Sequence, residues 1–176
     1  MNEARKKIIR NFAFWAAMSS ARMAQDKNGK PTCRGKNLYK ALEKADLEKK
    51  LDNLYSGKVT DFNEWHRDTA KAIGEKINSF GWAAKLLNLI LKIEVYIGGL
   101  GDKKLASLIH PPLDNKLINE IIKKFHNFNK IESIKKALPI RDVGENTYYN
   151  EIIPALKEVA GKSKFIELEK LWDPTR

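Results

Sequence analysis

Residues Phe80 to Gly98 read FGWAAKLLNLILKIEVYIG, and this stretch decides the fold. Apolar residues fall on every side of a 3.6-residue period, which marks a helix wrapped by protein on nearly all faces. The polar exceptions are ordered. Lys85, Asn88 and Lys92 stand at i, i+3 and i+7, with Tyr96 four further on, so they share one narrow stripe. The stretch approaches the length of a membrane span, but two lysines and Glu94 make spanning costly. The sequence therefore predicts a central core helix over about 81–97, with its polar stripe lining something.

The flanking chain reads as further helices. Glu3 to Gln25 is amphipathic, with Ile8, Phe12, Trp15 and Met18 as the expected core face, widened by Ile9 and Ala16; basic residues interrupt it, so it is not a signal peptide. Asp26 to Lys36 holds two glycines, a proline and four basic residues, among them Arg34 and Lys36, and is a basic loop able to meet phosphate. One helix is expected over Leu38–Tyr55, stopping at Gly57. Asp61 opens the next, to Ile77, and the short Asn78–Gly81 turn makes it the antiparallel neighbour of the central helix.

Glycines at 98, 99 and 101 end the central helix, Asp102 caps a short one, and His110-Pro111-Pro112-Leu113 forces an extended segment. Asp114 is the N-cap of a helix with Leu117, Ile118, Ile121 and Ile122 inward. Helices follow over 131–138, over 147–160 with a kink at Pro154, and from Ser163 through Trp172. No alternating strand pattern and no repeat occurs. The expectation is an all-α single domain over residues 1–176, with about seven to nine helices.

Composition bounds the function. Lys plus Arg exceed Asp plus Glu by eleven, so polyanions are the expected partners, DNA first among them. The excess of lysine over arginine equally fits a compositional bias without a partner. A single cysteine, Cys33, permits no disulfide framework, and a reducing, cytoplasmic setting is expected. His66, His110 and His126 lie far apart without ligand-spaced acids, so neither a metal nor another cofactor is implied. No phosphate-cradling loop, dinucleotide fingerprint or Ser-His-Asp order is present.

Gly81-x-Ala83-x-Lys85-x-x-Asn88, followed by Pro112-Leu113-Asp114 opening a helix, resembles the catalytic segment of the helix-hairpin-helix DNA glycosylase superfamily. The likeness covers about 40 residues. It departs at Ala83, which stands where the superfamily has a second hairpin glycine, and the single cysteine excludes the iron–sulfur branch. The resemblance implies a DNA-repair enzyme that excises a modified or damaged base, with Lys85 as catalytic amine and Asp114 as catalytic carboxylate. It further implies that Gly81 and Trp82 face a phosphate at the helix N-terminus, and that Asn88, Lys92 and His110 lie near the nucleic acid.

Two plainer readings stay open on the residues alone. Asp114 is fully explained as an N-cap, and Lys85 can reach solvent from the first turn of its helix. A non-enzymatic nucleic-acid-binding or protein-interaction module, such as a mobile-element or phage-defence accessory, fits the same scaffold.

Overall fold

The computed structural model describes residues 2–22, 24, 25, 28, 30, 31 and 36–172. Among them the chain is all-α: the only β pairing is an isolated bridge between Gln25 and Pro31. Ten α-helical segments are present, α1 Glu3–Ser20, α2 Lys36–Lys44, α3 Leu47–Tyr55, α4 Phe62–Ile77, α5 Phe80–Leu91, α6 Leu105–Leu108, α7 Asn115–Lys124, α8 Ile131–Lys135, α9 Glu145–Thr147 and α10 Ile153–Ala160. A 3-10 turn at Ile140–Asp142 and a 3-10 helix at Phe165–Leu171 complete the order.

The predicted central helix is there, built as α5 continued by a wider π-helical turn over Lys92–Ile97. Leu86, Leu87, Ile90 and Leu91 are almost wholly buried, each contributing about 1.5–3 kcal/mol by leaving water. Helix α4 lies antiparallel to α5, joined through Asn78 in the left-handed region (φ 55°) and Ser79 as N-cap. The two sit so close at the turn that a Cβ on Gly74 would stand 3.3 Å from the Phe80 backbone.

Helix α1 buries a different face from the one its bulky residues suggest. Ala13, Phe14 and Ala17 are inside, whereas Ile8, Phe12 and Trp15 are 68%, 54% and 56% exposed. The reason lies in its neighbour. Helix α5 already fills the core with Leu and Ile, so α1 packs closest through alanines, and that face carries Arg10 to the buried Glu94 carboxylate at 3.2 Å. Phe12 and Trp15 stack on each other at the surface, ring centroids 5.6 Å apart.

One other expectation is corrected. The helix expected over 38–55 is broken between α2 and α3, where Asp46 takes φ 54°; aspartate tolerates that conformation better than most residues. The expected helix around Pro154 is present, helical from Glu145 to Ala160. A π-helical turn over Tyr148–Ile152 lies just ahead of Pro154, so the helix meets the missing N–H by changing its hydrogen-bond register upstream. The caps at Asp61, Asp102 and Asp114 are as expected: each accepts from a main-chain N–H two or three residues on, at 2.7–3.0 Å.

Candidate functional site

The polar stripe of α5 faces the segment that leads into α7. Its four residues meet four different environments. Lys85, one turn into the helix, is half-buried, with its ammonium 4.8 Å from the centre of the Trp82 ring. Among the described residues it has no carboxylate within ion-pair distance. Burial pushes its amine below the ordinary lysine range, and the nearby negative charge of Asp114 opposes that shift. Lys85 and Asp114 therefore share one electrostatic neighbourhood although 29 positions separate them. One oxygen of Asp114 accepts from the Leu117 N–H at 2.8 Å as the α7 cap.

Lys92 is neutralised. It pairs with Glu169 on the C-terminal 3-10 helix, and burial raises the Glu169 carboxyl while that pairing lowers it, with Asp114 adding a further upward push. Tyr96, past the π turn, is exposed and donates weakly to Glu167 at 3.5 Å. A lysine–carboxylate row thus runs from Lys85 and Asp114 to Glu169 and Lys92.

Asn88 differs from its neighbours in being fully buried. Its amide nitrogen donates to the Pro111 carbonyl at 3.1 Å and to the Tyr148 hydroxyl at 2.9 Å. Its amide oxygen meets His66 Nε2 at 2.6 Å. That contact needs His66 to carry its proton on Nε2, so His66 Nδ1 accepts from the Tyr149 hydroxyl at 2.5 Å. Tyr148, having accepted from Asn88, donates in turn to His110 Nδ1 at 3.2 Å. Asn88 thereby sets the direction of every bond in the chain from Tyr149 to His110.

The network is enclosed by aromatic rings. His66 and His110 lie 4.7 Å apart by ring centroid, with Phe62, Tyr148, Tyr149 and Phe165 around them. Desolvation brings His66 down to about 4, with its bond to Asn88 opposing, and drives His110 well below the ordinary histidine range. Both rings are therefore neutral at pH 7. Burial likewise raises the hydroxyls of Tyr148 and Tyr149 above the ordinary range. His110 Nε2 ends the chain without a hydrogen-bond partner.

Lys85, Trp82, Asp114 and Lys92 come together along one side of α5. Asn88 and His110 do not reach solvent, so in this conformation neither touches an external ligand. Gly81 is also covered: a Cβ there would stand 1.9 Å from the Ile140 carbonyl oxygen. Its lack of a side chain serves packing against the Ile140 turn, not approach to a phosphate. The Trp82 N–H at the helix start donates to the Ser79 hydroxyl, its cap, at 3.4 Å, and the Trp82 ring is half-buried beneath Lys85. Arg34 and the side chain of Lys36 lie outside the described residues.

The sequence reading missed His66, Tyr148, Tyr149 and Glu169. A signal for His66 was present, since it falls on the inward face of α4 with Phe62, Thr69, Ala70 and Ile73. The tyrosines carried none, because the π turn that aims them depends on Pro154 and its surroundings. No group of three or more His, Cys, Asp or Glu among the described residues is arranged to hold a metal ion, and no described helix is long and apolar enough to cross a membrane. Compared with protein-family profiles, curated proteins and solved structures, the chain has no significant match.

Proposed function

We propose that this chain is a DNA-binding protein of glycosylase type, in which Lys85 and Asp114 act on the sugar of a modified or damaged nucleotide. The observation that carries the reading is a half-buried amine with no carboxylate within ion-pair distance among the described residues, biased by burial toward its neutral form and within the field of the Asp114 carboxylate. A neutral amine is a nucleophile; an ammonium is not.

The chemistry balances without a cofactor. The target base is first flipped out of the duplex. The Lys85 Nζ lone pair attacks the anomeric carbon, the glycosidic bond breaks, and its electron pair leaves with the base. The proton lost from the nitrogen passes to Asp114 and from there to the departing base. As positive charge builds on the sugar in the transition state, the Asp114 carboxylate stabilises it. The nitrogen lone pair then forms the C=N bond as the bond from the anomeric carbon to the ring oxygen breaks, and the remaining N–H proton passes to that oxygen, leaving an imine on Lys85 and a hydroxyl on the opened sugar. The net positive charge of the chain supplies sequence-independent attraction to phosphates.

The test is borohydride trapping on labelled duplexes bearing abasic sites and a panel of modified bases, with Lys85→Ala and Asp114→Asn alongside. A covalent adduct on a modified-base duplex that disappears in Lys85→Ala is expected. No adduct and no alkali-labile site on any duplex would end the enzymatic reading.

One observation favours a second reading. Asp114 already has a structural task as the α7 cap, which a non-enzymatic nucleic-acid-binding module would also need. That module predicts salt-dependent binding of duplex DNA that survives Lys85→Ala and Asp114→Asn.

A further inference from the structure

We infer that Asn88 is a positioning residue: by holding the Pro111 carbonyl it fixes where Asp114 stands relative to Lys85. The inference rests on the Lys85–Asp114 reading given above and adds to it the device that sets their separation.

The two reactive groups sit on different elements, so something must hold those elements in register. Lys85 and Asn88 are one turn apart on α5, while Pro111 precedes Asp114 by three residues. Pro111, Pro112 and Leu113 are buried and outside any helix or turn, and the two successive prolines fix φ at their own positions. A stiffened arm of at most about 10 Å therefore links the pinned carbonyl to Asp114. The Asn88–Pro111 bond joins the two elements at the root of that arm.

An amide can serve this way only if it points correctly, since a flipped Asn88 would present oxygen to a carbonyl. Flipping is opposed by the Pro111 carbonyl, which can only accept, and the His66 tautomer at 2.6 Å and the Tyr148 proton at 2.9 Å follow from the amide so fixed. The other groups facing this network are Tyr149, with Arg67 4.6 Å from its ring centre, and Lys157, whose charge is felt by both histidines. None of these supplies a substitute donor for the Pro111 carbonyl. At the far end, the Leu117 cap takes only one oxygen of Asp114, leaving the other available toward Lys85.

The experiment is an NMR titration of Lys85 in the full chain with isotope-labelled lysine side chains, its signal assigned by loss in Lys85→Arg. In the parent chain Lys85 should titrate below an ordinary lysine, and Asp114→Asn should lower it further. Asn88→Leu is expected to lower it in the same direction, and the Asn88→Leu/Asp114→Asn double variant should go no lower than Asp114→Asn alone. Tyr148→Phe, an isosteric change, should give a smaller shift of the same sign and carries the test if Asn88→Leu does not fold. In the trapping assay Asn88→Leu should slow adduct formation by about 100-fold, the scale of a 1 Å misplacement.

A folded Asn88→Leu, or failing that Tyr148→Phe, in which Lys85 titrates as in the parent would overturn the inference, as would shifts that simply add in the double variant. If the parent chain forms no adduct and leaves no alkali-labile site on any duplex, the glycosylase reading fails by itself. The titration still decides whether Asn88 sets the Lys85–Asp114 distance.

Discussion

The Asn88 side chain, on the central helix, donates across 3.1 Å to the main-chain carbonyl of Pro111, in the extended segment that opens α7. This bond ties together the two parts of the chain that carry Lys85 and Asp114. It lies in a fully buried network, so its loss is felt as desolvated, unpaired groups and not as one missing bond.

For stability, Asn88→Leu should cost about 3 kcal/mol, because it orphans the Pro111 carbonyl, His66 Nε2 and one bond of Tyr148 at once. In a chain of this size that is a fall of roughly 6–12 °C in Tm. Thermal melting at pH 7 checks it, and a change within 2 °C, on the scale of about 0.5 kcal/mol, would show that the network is not tightly satisfied.

The buried histidines give stability a definite pH dependence. His66 titrates at about 4 in the folded chain against an ordinary value of 6.5, and His110 is shifted the same way. The unfolded chain binds these protons first as pH falls. Stability is therefore full above pH 6.5, declines as pH drops from there toward 4, and loses about 3 kcal/mol to His66 alone. Urea midpoints measured from pH 7.5 to 4.5 should decline, and His66→Gln should flatten part of that slope.

Gly81 and Gly144 make a contrast. A Cβ on Gly81 would meet the Ile140 carbonyl oxygen at 1.9 Å, whereas one on Gly144 has nothing within 4 Å. Gly81→Ala should destabilise by more than about 3 kcal/mol, and Gly144→Ala should stay within about 0.5 kcal/mol. Equal melting temperatures for the two variants would contradict the close approach.

The face that α1 turns to solvent should tolerate polar residues. Phe12→Ser and Trp15→Ser are expected to change stability by no more than about 0.5 kcal/mol, while Phe14→Ala on the buried face costs about 3–5 kcal/mol. Denaturant unfolding of the three variants distinguishes this packing from the opposite one, in which Phe12 and Trp15 would be the costly positions.

Arg10 and Glu94 form the ion pair on which α1 rests. Glu94 is fully buried, and burial raises its carboxyl despite the opposing Arg10 guanidinium. Removing the arginine alone, as Arg10→Met, should cost about 3–5 kcal/mol near neutral pH, because an uncompensated charge stays inside. Arg10→Met combined with Glu94→Gln should recover much of that loss, a result read from the same unfolding curves.

The sequence by itself determined the class of fold, its central helix and most of its helix ends. These are local matters: a run too apolar for any surface, aspartates that cap the next turn, and glycines or prolines that forbid continuation. It also put Lys85, Asn88 and Lys92 on one stripe, because helical spacing alone does that. Only the tertiary structure decided what each of those three meets. Lys92 finds a carboxylate, Lys85 a tryptophan face and a neighbouring aspartate, and Asn88 two histidines and a tyrosine drawn from distant segments. The same holds for α1, whose inward face was chosen by its fit against α5 and not by its own hydrophobicity. Periodicity reports which residues share a side of a helix. Which side goes inward, and against what, depends on the shape and charge of neighbours that are remote in sequence.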